Sequence, residues 1–138
     1  MRKCFSVALA ATVALALSST AAFAQTAGVS LDPNALALQS TMGFTDQLNV
    51  GATIECPGTT ADSISVSVTQ QQPNGGTASG FGTAFLPACG GTTRTVDVRV
   101  TTFDVPSFVL GKASAQAVLF STFFVVATDE REINIKLR

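Results

Sequence analysis

The side chains able to do chemistry in this chain are few. There are three cysteines, Cys4, Cys56 and Cys89, and nine carboxylates scattered from Asp32 to Glu132, while His, Tyr and Trp are absent. Without imidazole there is no histidine metal ligand and no histidine general base, and without Trp or Tyr there is no indole or phenol platform for a sugar ring. Serine hydrolysis would have to rely on Lys112, Lys136 or a carboxylate as base, yet neither Ser-x-x-Lys nor Gly-x-Ser-x-Gly occurs. Paired carboxylates can cut glycosides, and Asp97 with Asp104 or Glu130 with Glu132 are the candidates by spacing. Asp97, however, lies on the polar face of an alternating segment beside Arg99, and Asp104 precedes a Pro-containing turn. They read as solvated surface charges. Calcium would find oxygen donors in Asp32 with Asn34, Asp46, Asp62, and Asp129 with Glu130, but none follows a calcium-loop spacing, so turn and cap roles are expected. The expectation is no catalytic site, no cofactor and no metal.

Thiol chemistry depends on compartment, and the N-terminus speaks to that. Arg2 and Lys3 precede an apolar run from Val7 to Leu17, and Ala22-Phe23-Ala24 offers a small-x-small cleavage site before Gln25. This is the pattern of a secretory signal peptide over residues 1–24. Its removal takes Cys4 away and leaves Cys56 and Cys89 in an oxidising compartment, periplasm or medium, where disulfides persist. Redox work would favour a close Cys-x-x-Cys pair with an electropositive neighbour, and two cysteines without His make a poor metal set. A structural bridge closing the 34-residue loop 56–89 is therefore expected. The chain-entropy argument values such a loop at about 3.8 kcal/mol.

Behind these residues stands a mature chain of 114 residues, 25–138, with six basic and nine acidic side chains and no basic cluster. It is long enough for one domain and offers nothing to nucleic acid. Ala113 to Ala127 is uncharged and apolar, but its 15 residues fall short of the roughly 20 that a spanning helix needs. Its β-branched and aromatic residues predict two strands and no membrane span in the mature chain.

Period-two alternation runs through the rest. Leu48, Val50, Ala52, Ile54 and Cys56 form one such set; Ile64, Val66 and Val68 alternate with Ser63, Ser65, Ser67 and Thr69; Val96, Val98 and Val100 form a third. Ala113 to Leu119 and Ile133, Ile135 and Leu137 supply two more, and weaker strands are expected at 27–31, 36–38, 80–86 and 123–127. Turn residues such as Asp32-Pro33-Asn34, Gly90-Gly91 and Val105-Pro106-Ser107 separate them, and the Gln- and Gly-rich stretch 70–79 reads as a mobile hairpin loop. About seven to nine short strands with one disulfide predict an all-β fold, an immunoglobulin-like Greek-key β-sandwich, with a small barrel as the alternative. Phe81, Phe85, Phe103, Phe108, Phe120, Phe123 and Phe124 are expected in the core between sheets, because Phe has no polar tip to keep wet. Phe123 and Phe124 are consecutive, so one of them is expected to reach a contact surface or an apolar pocket.

Ile54-Glu55-Cys56-Pro57, Ser65 to Gln70, Gly80-Phe81-Gly82, Cys89-Gly90, the Val96 to Val100 strand and Gly111-Lys112-Ala113 together resemble a group of small secreted bacterial, largely actinobacterial, immunoglobulin-like domains of unknown function. The resemblance covers about residues 48–137. It implies a disulfide-bonded sandwich without enzymatic activity, and it supplies no ligand. The expected function is thus an exported, non-catalytic binding, adhesion or structural module that meets an envelope or extracellular protein or glycan. The alternative is a carrier for an apolar small molecule in a Phe-lined cavity.

Overall fold

The computed structural model describes residues 27–56, 61–87 and 91–138. The expected signal peptide and Cys89 lie outside the described residues. Nine strands are present among those described: β1 (Gly28–Leu38), β2 (Phe44–Thr45), β3 (Gln47–Glu55), β4 (Ser63–Gln71), β5 (Thr77–Phe85), β6 (Thr93–Thr102), β7 (Phe108–Val109), β8 (Gly111–Ser121) and β9 (Phe124–Leu137). The alternating segments become strands because each can bury one face and wet the other. β4 shows this plainly, with Ile64, Val66, Val68 and Gln70 buried and the residues between them half-buried or exposed. The uncharged stretch 113–127 forms the body of β8, a tight turn and the start of β9.

The immunoglobulin-like sandwich expected from the sequence is not what forms. The seven long strands close into a single barrel in the order β1-β3-β6-β5-β4-β8-β9, with β9 returning to β1, and β2 with β7 make a separate two-stranded ribbon. Every barrel pairing is antiparallel except β1 with β9, which run parallel over Asn34–Ala37 and Asn134–Leu137. Closure depends on two short seams. One is that parallel pairing, and the other joins β5 to β6 at Gly80↔Thr102 and Phe81↔Thr101. Alternation alone does not distinguish the two architectures, since both bury every second side chain. What decides is whether the outermost strands can meet. In β5 they meet because Gly80 and Gly82 carry no Cβ: one built on Gly82 would lie 2.1 Å from the Arg99 carbonyl oxygen, and one on Gly80 would lie 2.8 Å from that of Thr101.

The barrel is filled, and mostly with aliphatic side chains. On β8 the inward alanines face larger partners across the ladder, Ala117 opposite Val66 and Ala115 opposite Val68, while Leu119 meets Ile64. Small against large is how a narrow barrel is packed without voids. One end is plugged by the β2–β7 ribbon, where Thr45 pairs with Phe108 and the Phe108 ring lies against Gly80. Phe108 is the one fully buried phenylalanine among the described residues.

Two glutamines secure that plug. Gln70 Nε2 donates to the carbonyls of Val109 (2.9 Å) and Lys112 (3.2 Å), and its Oε1 accepts from the Val109 amide (2.9 Å). Gln72 Nε2 donates to the Ser107 carbonyl. Both side chains are buried, so the stretch expected as a mobile loop instead begins and ends as strand, with a short turn closed by Gln72 N donating to Gly76 O (2.8 Å). Gln70→Met keeps the length of the side chain and removes all three bonds. Leaving buried backbone groups without partners costs about 1–3 kcal/mol, so the urea midpoint should fall clearly, with the slope of the transition unchanged.

Candidate contact surface

At the end of the barrel opposite the plug, the chain turns from β8 into β9 through Thr122 and Phe123. Thr122 adopts a left-handed backbone (φ 58°), uncommon for a residue other than glycine. Its amide donates to Asp62 Oδ2 at 2.6 Å, which holds the turn. The same aspartate ties in two more strands through its backbone, its amide donating to Phe120 O (2.9 Å) and its carbonyl accepting from Leu86 N (2.8 Å). Asp62, weighed above as a calcium donor, is thus a cap that joins the starts and ends of β4, β5 and β8.

This scaffold sets a row of side chains on the outside that is apolar but for one serine. Phe85 pairs with Ser63, Ser63 with Phe120, and Phe120 with Val125, so the four lie side by side across β5, β4, β8 and β9. Partners in a ladder share a face, with Cβ atoms about 4.5–5.5 Å apart. The hairpin adds Phe123 and Phe124. Four of these are highly exposed, 86% for Phe85, 90% for Phe123, 75% for Phe124 and 57% for Val125, and Phe120 is half-buried. The cause lies in the seam. β1 pairs with β9 only at Asn134–Leu137, so the ladder partners of Phe124, Val125, Ala127 and Thr128 among the described residues are all on β8.

The phenylalanines therefore depart from the expectation of an aromatic core. Phe108 is buried and Phe120 half-buried, whereas Phe81, Phe85, Phe103, Phe123 and Phe124 are exposed. Aliphatic residues had already filled the interior, and a ring in a strand whose inner face is occupied must stand outside. Phe81 and Phe103 form a second apolar spot beside the β5–β6 seam, stacked with ring centroids 6.4 Å apart and planes 19° from parallel.

The remaining candidates are dispersed. Asp97 stands exposed on β6 opposite Gly51, and Asp104 is exposed in the loop after β6. Glu132 pairs with Lys112 (3.0 Å), Glu130 is exposed, and Asp129 accepts from the Leu31 amide (2.8 Å) while facing Arg131 (3.4 Å). Asp46 accepts from the Ser107 hydroxyl. Among the described residues no three Cys, Asp or Glu side chains gather into a metal-binding group. The serines of β4 form a hydroxyl-bearing outer face, Ser65 Oγ lying 3.2 Å from Thr83 Oγ1. A groove of about 480 Å³ along β4 and β8 is lined by Thr69, Gln71, Lys112, Ala113, Ser114 and Glu132, with no aromatic ring.

Cys56 is buried at the end of β3 and is a disulfide cysteine. With Cys89 outside the described residues, the pairing of the two is proposed on the neighbouring backbone. The Gly91 amide donates to the Cys56 carbonyl at 2.7 Å, which brings the chain two residues after Cys89 against Cys56.

Fold and surface together define a closed mixed β-barrel, plugged at one end and apolar at the other. Compared with known proteins, the chain matches no family and no curated sequence.

Proposed function

We propose that this chain is an exported, non-catalytic β-barrel module that works by binding, and that its contact surface is the apolar end formed by Phe85, Phe120, Phe123, Phe124 and Val125. The observation that carries the reading is the exposure of Phe123 and Phe124 on a turn anchored by Asp62. A monomer rarely leaves several large apolar side chains together in water unless the patch meets something. The N-terminal leader pattern supports a place outside the cytoplasm, where a partner in the envelope or medium is within reach. Scattered, solvated carboxylates and the absence of imidazole support a binding role over catalysis.

The test is retention on envelope from the source cell. The unaltered chain is expected to sediment with washed envelope, F123S/F124S is expected to stay in the supernatant, and F103S, altered at the other apolar spot, is expected to behave as the unaltered chain. Equal retention of F123S/F124S and the unaltered chain would move the contact surface elsewhere.

A further inference from the structure

Resting on that reading, we infer that the apolar end docks on a lipid bilayer, inserting the β8–β9 hairpin into the interface. Three observations single out lipid from other occupants. The first is shape. Phe124 and Val125 are successive ladder residues, paired with Ser121 and Phe120, so they face opposite sides of the hairpin, yet both are exposed. A folded partner resting on the barrel covers one side of a projecting hairpin, whereas acyl chains close around both.

The second is area. Three largely exposed phenylalanines offer roughly 400–600 Å² of apolar surface, given what one aromatic side chain buries. A protein interface of standard size takes about 800 Å² from each partner, including a polar rim with its own hydrogen bonds. Self-association through this patch falls short of that. Insertion into an interface has no such threshold, because binding strength scales with the apolar area that leaves water.

The third is charge. No charged residue occurs from Ser121 to Thr128, and Ser63, Ser121, Thr122 and Thr128 set hydroxyls around the rings. The nearest charges at this end of the barrel are Glu55, Asp62, Arg94, Asp129, Glu130 and Arg131, four acidic against two basic. Such a tip suits neutral headgroups. It has none of the lysine and arginine clusters that draw proteins to anionic lipid.

The experiment mixes the chain, as its cell exports it and with its N-terminus established by mass spectrometry, with vesicles of phosphatidylcholine alone. Binding is expected, indifferent to salt and not strengthened by added phosphatidylglycerol. Burial of each Phe contributes about tenfold or more, so F123S/F124S should weaken partitioning by about 100-fold, while F103S should leave it nearly unchanged. Circular dichroism of the variants confirms that the barrel persists. Lipid docking is overturned by no binding to phosphatidylcholine, by binding that needs anionic lipid, or by equal binding of F123S/F124S. If F123S/F124S loses envelope retention while the unaltered chain ignores pure vesicles, the contact surface stands and its partner is not lipid.

Discussion

Gly82→Ala should destabilise the barrel by on the order of 3 kcal/mol, lowering the melting temperature by about 10–20 °C for a domain of this size. The added methyl would lie 2.1 Å from the Arg99 carbonyl oxygen and 2.8 Å from its carbonyl carbon. Both are backbone atoms, and β6 is held on its other side by its full pairing with β3, so neither can step aside cheaply. Relief requires β5 to move away from β6. The two register pairs that close the barrel, Gly80↔Thr102 and Phe81↔Thr101, lie within two residues and should be lost with it. Gly28→Ala serves as the control, since a Cβ there meets only Glu55 at ordinary contact distances of 3.6 and 3.7 Å. Thermal unfolding of both variants, with amide exchange at Phe81 and Thr102, distinguishes a broken seam from a general loss of packing. An unchanged melting temperature for Gly82→Ala would mean that closure does not depend on this contact.

The same glycines show where reading the sequence stops. Strand positions were legible because alternation is a local property: the runs at 48–55, 64–69, 95–101 and 113–119 fall within β3, β4, β6 and β8, and their alternating apolar members are buried, with Val96 only partly so. Closure was not legible. Whether β5 meets β6 depends on residues about twenty positions apart, and a Gly-Phe-Gly in a strand reads equally as a bulge, a weak strand or a close approach. The ribbon of β2 and β7 was missed for a related reason, since two-residue strands carry no period. Gln70 was misread because a buried glutamine looks like a loop residue until its three backbone partners are known.

The phenylalanines were the costliest misreading, and they also define the candidate surface. Hydrophobicity ranks a side chain for burial without saying whether room remains inside. Here Ala, Val, Ile and Leu from the seven barrel strands exhaust the interior, and only Phe108 finds a place, at the end where the ribbon closes over it. The signal for exposure was present in the sequence as Phe123-Phe124, since neighbouring strand residues cannot both face one core. The contribution of Asp62 was not visible there, because its bond to the Thr122 amide spans sixty positions.

Removing the bridge proposed between Cys56 and Cys89 should have an effect as large as breaking the seam. A loop of 34 residues is worth about 3.8 kcal/mol in the chain-entropy argument, a large share of the 5–15 kcal/mol that holds a typical domain together. Cys56 and the Gly91 amide bonded to it belong to the barrel end where the seams are open, since β5–β6 and β1–β9 pairing is confined to the plugged end. The bridge would therefore fasten the connection after β3 to the one after β5 where ladder hydrogen bonds are fewest, next to the Gly91 N to Cys56 O bond. Cys56→Ser is expected to lower the urea midpoint markedly, and reductant should lower that of the unaltered chain to a similar value while leaving Cys56→Ser unmoved. Loss should begin at the open end, so amide exchange ought to rise first at Gly91 and Glu55 and last at Gln70 and Val109. Peptide mapping without reduction is the direct check: a fragment joining Cys56 to Cys89 is expected, and two free thiols at these positions would remove the bridge from the account of stability.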